Sequence, residues 1–317
     1  MSDERSPETV LWDLMRGALT ARALGIVADL RVADALAAGP RSVDELAREL
    51  GANPDVLHRF LRALASDGVF AEAEPGVFVN TPASEQLRRE AWDDFAHLFG
   101  TVFHRTAGEL DADGAPTFAR VFGDDFWSWL AANPAERAAF DRAMAGGKDR
   151  KADRFAKVEW RDGETVVDVG GGNGALLIEL VRRRPGLRGI VFDLPETDRE
   201  ESEFGDAIEF VSGSFFESVP VGDTYLLSAI LHDWNDESAE AILRTIRASA
   251  PAGARLLVGE TVISPGNDAS GSKWLDLLML ALLDGRERDE AQWRRLLEDS
   301  GFELVSIEDG LIQARCR

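Results

Sequence analysis

Cysteine occurs once in the 317 residues, as Cys316 beside the C-terminus, so neither an intrachain disulfide nor a multi-cysteine metal site can be built. No apolar run approaches the roughly 20 residues that a membrane span requires. Residues 1–8 are polar and lack the basic and apolar halves of a signal peptide, which leads us to expect a cytoplasmic chain. Positive charge is scarce as well: 35 Lys and Arg against 57 Asp and Glu leave a net charge of −22. Such a balance repels phosphate backbones and anionic lipid, so neither nucleic acid nor membrane is an expected partner. What remains is the composition of an ordinary globular protein, 45% hydrophobic and long enough for two domains.

Between positions 9 and 37, Val10, Leu14, Leu19, Ala23, Ile26, Val27, Leu30 and Val32 recur at helical spacing on more than one face, so these helices need covering on several sides. Ser42 with Glu45 reads as a capping box, and Gly51 closes the helix it opens. Asn53-Pro54 starts the next, which carries Leu57, Phe60, Leu61 and Leu64 on one face. Gly68 ends it before two short strand-like pieces around a turn at Pro75-Gly76, a winged-helix pattern. Arg59 and Arg62 could meet phosphates in such a fold, but the net charge favours a dimerisation and scaffold role. Residues 91–144 look helical and are crowded with aromatics, most of them expected in a core, and Gly146-Gly147 marks a linker. After Val158 strands alternate with helices: 165–169, 189–193, 208–211, 224–229 and 254–260, then a final pair at 302–307 and 311–315. This alternation predicts a doubly wound, mostly parallel sheet.

The strongest local signal is Val166-Val167-Asp168-Val169-Gly170-Gly171-Gly172-Asn173-Gly174, an apolar strand running into glycines ahead of a helix. Glycines let the backbone turn tightly and approach a ligand, and the helix start offers free amides, so this is a nucleotide-cofactor turn. Gly170, Gly172 and Ala175 also satisfy the loose nicotinamide fingerprint, and Asp193 at the end of the second strand suits a ribose in either cofactor class. Asp168 tips the reading toward S-adenosylmethionine, because an acid there suits an ammonium and would repel a pyrophosphate. His232, after the fourth strand, is sited for proton transfer at the carboxyl edge of the sheet. Either Glu260 or Glu287 could hydrogen-bond its far ring nitrogen, although two arginines flank Glu287 as in an ordinary solvated pair.

In order and spacing, Val167-Asp168-Val169-Gly170-Gly171-Gly172, Phe192-Asp193-Leu194-Pro195, Gly213-Ser214-Phe215-Phe216 and Leu231-His232-Asp233-Trp234 form a known set. The chain resembles the plant-type small-molecule S-adenosylmethionine-dependent O-methyltransferases, including the bacterial branch that acts on aromatic polyketide and antibiotic intermediates. The likeness covers nearly the whole chain, since Arg31-Val32-Ala33-Asp34 and the helix-helix-wing are similar to that family's dimerisation domain. It implies an α/β protein whose residues 151–317 form a Rossmann-like methyltransferase domain with a seven-stranded, mostly parallel sheet. Residues 91–150 would be a helical connector lining the substrate pocket, and 1–90 a winged-helix-type domain of a helix-swapped homodimer. It further implies an enzyme that methylates a hydroxyl of an aromatic secondary metabolite, with S-adenosyl-L-methionine as cofactor, S-adenosyl-L-homocysteine as product and no metal. By position, Gly170 and Gly172 would line the methionine and sugar, Asp193 the ribose with Leu194 beside it, and Ser214 and Phe215 the adenine. His232 would be the base, flanked by Glu260 and Glu287, while Met144, Trp234, Asp276 and Met279 would contact substrate or cofactor. Two positions depart from the pattern: Ser214, where relatives often have aspartate, and Ser228, where they often have lysine.

The same scaffold supports N- or C-methylation, and non-methylating hydroxylation or decarboxylation; His232 with two candidate acids favours a hydroxyl acceptor. A winged-helix ligand-sensing regulator is disfavoured by the charge of −22.

Overall fold

Ser42 and Glu45 close the capping box that their spacing predicts. Ser42 Oγ accepts from the Glu45 amide at 3.3 Å, and Glu45 Oε2 accepts from the Ser42 amide at 3.0 Å. The helix Val43–Leu50 then stops at Gly51, whose φ of +67° needs a residue without a Cβ. Asn53 caps Pro54–Ser66 through the Val56 amide. Strands β2 (Phe70–Glu74) and β3 (Val77–Asn80) form the expected hairpin. Arg41–Ser42, strand β1, pairs with β3 as a third strand, too short to leave a periodic trace in the sequence. Leu46, Leu57, Leu61, Leu64, Phe70 and Phe78 make the core of this wing.

The structure, a computed structural model, describes residues 6–89, 91–114, 116–146, 148–195, 197 and 207–317, without the side chains of 145 and 148–150. Of the sequence features named above, Gly147 of the linker and most of the polar N-terminal segment lie outside the described residues. The chain divides into two units, Met1–Leu110 with Val121–Gly146, and Asp111–Arg120 with Gly147–Arg317. The stretch 91–150, read as one connector, is shared between them. Thr117 explains part of the division, because its amide donates to Ala281 O at 2.9 Å within the second unit.

In the first unit, Pro7–Met15 buries none of its side chains, and Val10, Leu11, Trp12, Leu14, Met15 and Leu19 are exposed. Helices Gly17–Asp29 and Trp92–Gly100 meet backbone to backbone: a Cβ on Gly25 would lie 2.8 Å from Gly100 Cα and 2.9 Å from Ala96 O. The second of these helices also carries His97, whose Nδ1 meets Asp29 at 2.7 Å and whose Nε2 meets Glu136, on Pro134–Ala145, at 3.0 Å.

Among the described residues of the second unit, seven strands form one sheet. They are β4 (Thr165–Val169), β5 (Arg188–Asp193), β6 (Ile208–Ser212), β7 (Thr224–Ser228), β8 (Arg255–Gly259), β9 (Phe302–Glu308) and β10 (Leu311–Cys316), ordered β6-β5-β4-β7-β8-β10-β9. The first five run parallel, and β10 is antiparallel to both of its neighbours. Period-two alternation sorts the side chains. Val167, Val169, Tyr225, Leu227, Leu256 and Val258 pack with helices Asp236–Ser249 and Glu290–Asp299, whereas Val166, Leu226 and Leu257 pack with Ala175–Arg183. No helix among the described residues is long and apolar enough to cross a membrane.

Gly25→Ala should lower unfolding free energy by about 1–3 kcal/mol in a denaturant titration, because two backbones already touch where the methyl would go. The His97 hydrogen bond to Asp29, helped by Glu136 and opposed by burial, raises the imidazole from 6.5 to about 9. The folded state therefore holds this proton more tightly than the unfolded chain. Its stabilisation, about 1 kcal/mol once part-exposure of the three side chains is allowed for, is complete below about pH 6.5 and lost as pH rises through about 9. Thermal unfolding of His97→Gln should lack this alkaline slope.

Candidate active site

The parallel strands turn their carboxyl ends to one edge, and the chain reverses its direction of travel across the sheet between β4 and β7, where open α/β sheets hold ligands. Beyond β4 the glycine loop doubles back. The Gly170 and Gly171 amides donate to Phe192 O at 2.8 and 3.3 Å. A Cβ on Gly170 would strike Ile230 at 2.6 Å, whereas nothing stands within 4 Å of one on Gly172, the open face of the loop. The φ of +59° at Gly172 strains any other residue there.

Asp193, ending β5, fixes this loop from the side. One carboxylate oxygen accepts from the Gly172 amide at 2.7 Å, and the other from the Leu194 amide at 2.7 Å and Thr197 Oγ1 at 3.0 Å. Gly172, Val191, Asp193, Leu194, Thr197, Phe210 and Val211 line a small cavity at this point. Asp168 is buried under the loop, and its Oδ2 has no hydrogen-bond partner. Burial, with the Asp193 charge second and Lys151 opposing, pushes the Asp168 carboxyl up to about 7. An orphaned carboxylate beneath a glycine loop suits a cationic ammonium, and Asp193 keeps lone pairs for hydroxyl donors.

Ser214 folds its own turn: Oγ accepts from the Phe216 amide at 3.3 Å, and its carbonyl from Glu217 and Ser218. Phe215 and Phe216 stand edge to face against Trp234, with ring centroids 5.9 and 4.9 Å apart. Trp234 thus belongs with the Ser214-Phe215 loop. Ser228 ends β7 opposite Gly259 of β8.

The second cluster begins at Ala229, held at φ +58°, and continues in the 3-10 turn Leu231–Asp233. His232 Nδ1 lies 2.7 Å from Glu287 Oε1. With Glu287 only 3% exposed, this is no solvated surface pair, whatever its flanking arginines suggest. Glu260 takes a different part, its Oε1 accepting from the Ile230 and Leu231 amides at 3.0 and 2.7 Å. The Glu287 amide donates in turn to Oδ1 of Asp276, the carboxylate expected at the substrate, at 2.8 Å. Met279 is buried, its carbonyl accepting from Gly285 at 3.3 Å, and Met144 lies part-buried on a helix of the first unit.

Burial works against a charged His232, but Glu260, Asp233 and Glu287 outweigh it and lift the ring to about 10. Burial likewise pushes Asp233 up to about 7, against the pull of His232, and raises Glu260. His232, Glu260 and Glu287 bring one ligand atom each within 4.8 Å of one another, a spacing that could admit an ion. However, Nδ1 is already bonded to Glu287, and Glu260 Oε1 to two amides.

Residues 103–303 match the family model of the O-methyltransferase domain, and residues 12–89 that of the O-methyltransferase dimerisation domain. The chain belongs to this O-methyltransferase family. It is 36% identical to a phenazine O-methyltransferase of Lysobacter antibioticus, over 94% of this chain and 92% of that one. The crystal structure of LaPhzM superposes with a TM-score of 0.91 at 34% identity, covering 99% of this chain and 100% of that one. That of NcsB1, an O-methyltransferase from neocarzinostatin biosynthesis solved with S-adenosyl-L-homocysteine and 1,4-dihydroxy-2-naphthoic acid, gives 0.79 at 33% identity, covering 94% and 95%. The enzyme is S-adenosylmethionine-dependent and homodimeric, and the exposed Trp12, Leu14, Met15 and Leu19 fall within its dimerisation domain.

Sequence reasoning missed Thr197, Gly285 and Arg288. Gly285 alone carried a signal, as a glycine before the Glu287 segment; a Cβ there would lie 2.2 Å from His232 O. Asp193→Ala should weaken S-adenosylmethionine binding by about tenfold or more in calorimetry, because it removes a charged acceptor and frees the Gly172 and Leu194 amides. A dissociation constant unchanged within twofold would remove Asp193 from the cofactor site.

Proposed function

We propose that the enzyme methylates a hydroxyl of an aromatic small molecule of secondary metabolism, in the cytoplasm, with His232 as general base. Relatives named for phenazine and solved with a naphthoic acid support an aromatic acceptor. No helix among the described residues is long and apolar enough to cross a membrane.

The observation that carries the base is the 2.7 Å contact between His232 Nδ1 and buried Glu287. In the neutral ring the proton then sits on Nδ1, donated to the carboxylate, which leaves the Nε2 lone pair to accept a proton from the substrate hydroxyl. Asp233 Oδ1, 3.4 Å from Nε2, is too distant to claim that nitrogen with a strong bond. As the ring gains a proton, Glu287 stabilises the imidazolium, and Glu260 holds the turn beneath it through two amides.

Asp168 would hold the cofactor's ammonium, Gly170 and Gly172 its methionine and sugar, Asp193 the ribose, and Ser214 with Phe215 the adenine. When bound, S-adenosylmethionine supplies an electrophilic methyl group on a positively charged sulfur. His232, whose proton three carboxylates hold up to about 10, releases it more readily beside such a positive charge.

The test is mass-spectrometric detection of methyl transfer from isotope-labelled S-adenosylmethionine to phenols, naphthols and hydroxyphenazines. We expect a labelled ether from the wild type, and turnover about 10²–10⁴-fold lower in His232→Ala with cofactor affinity nearly intact. Because a base works only when unprotonated, wild-type kcat/KM should climb with pH to a plateau, and His232→Ala should lose that limb. Undiminished turnover in His232→Ala would sink the base assignment.

A further inference from the structure

The turn that carries His232 is gripped from behind by Arg288, a residue that neither motif nor charge pattern marks. Arg288 is wholly buried, at 0% exposure. Its Nη1 donates to Leu231 O and its Nη2 to Trp234 O, each at 2.9 Å, so one planar fork holds the carbonyls on either side of His232-Asp233. Nε donates to Asp236 Oδ1 at 2.9 Å, and the guanidinium lies 5.5 Å from the Trp293 ring centroid. The neighbouring Arg286 amide donates to a third carbonyl of the turn, His232 O, at 2.8 Å. Segment 285–288 therefore holds the backbone of the turn through Arg286 and Arg288, and the ring of its histidine through Glu287.

Burying a cation is costly, and a well-packed apolar side chain could fill the same volume, so the arginine needs a reason beyond packing. Its geometry supplies one. A guanidinium presents several donors in a rigid plane, which fixes two acceptors relative to each other, whereas a lysine ammonium is a point charge on a flexible stem. Leu231 and Trp234 bracket the residues that must stay in register with Glu287.

We infer that Arg288 is a positioning residue for the base: its fork sets the turn so that the His232 ring meets Glu287, and it holds Trp234 in the same frame. This inference rests on the reading of His232 as base. A residue acting through the base should affect turnover rather than cofactor binding, and should matter little once the base is gone.

The experiment compares Arg288→Lys, His232→Ala and the double variant in steady-state kinetics, with S-adenosylmethionine affinity by calorimetry and folding by circular dichroism. We expect Arg288→Lys to fold and to bind the cofactor within about threefold of wild type, with kcat reduced about tenfold or more, while the double variant is no slower than His232→Ala. Normal kcat in Arg288→Lys, or a loss that multiplies with that of His232→Ala, would overturn the positioning role while leaving the base in place. Full turnover in His232→Ala is a separate result, and removes the base on which the inference rests. Should Arg288→Lys fail to fold, Asp236→Ala removes the guanidinium's half-exposed carboxylate partner; the same kcat-selective loss, absent in the His232→Ala background, is expected, and a multiplying loss or normal kcat would overturn the role.

Discussion

The contact between His232 Nδ1 and Glu287 Oε1 joins residues 55 positions apart, and much of the second unit is arranged to make it. Strand β7 delivers the chain to the carboxyl edge of the sheet, where Ala229 turns it through a left-handed conformation that alanine rarely adopts. Such strain persists only where the surroundings hold it, and here Glu260, just after β8, takes the next two amides. From the other side, Gly285 lets segment 285–288 come within van der Waals contact of the His232 carbonyl. The turn is thus fixed at its Ile230 and Leu231 amides by the residue after one strand, and at its carbonyls and the His232 ring by a distant loop.

A second consequence of this arrangement is electrostatic. Three carboxylates gather around one imidazole in a place with little water, so each ionisation depends on the others. Burial alone would discharge the ring, and the acids reverse the balance. Under the neighbouring glycine loop, burial and the charge of Asp193 push the Asp168 carboxyl up to about 7, with Oδ2 unpaired. Each cluster leaves uncompensated polarity, and a cation bound between β4 and β7 would relieve the negative charge of both.

Much of the cofactor half was legible in the sequence because its residues are local. A strand, four glycines and a helix lie within positions 165–183, and the geometry they impose depends on their own φ angles. Asp193 was legible for the same reason, since a strand that ends in an acid must present it at the sheet edge. The wing was readable from its caps, Ser42 with Glu45 and Asn53, which act within three residues.

The proton-transfer half was only partly legible. The sequence by itself determined that the chain alternates strands and helices, that glycines and acids end its first strands, and that a histidine follows the fourth, because periodicity, caps and turn residues act over a few positions. It left two acids competing for one imidazole nitrogen, and gave Arg288 the look of a surface charge next to Arg286. Only the tertiary structure decided that Glu287 takes the ring while Glu260 takes the turn's amides, that Asp276 accepts from the Glu287 amide, and that Arg288 is buried while Arg286 is half-exposed. The reason is physical: a charged side chain is stable inside only when its partners arrive from elsewhere in the chain, and that meeting is fixed by packing, which the sequence specifies only through the whole fold.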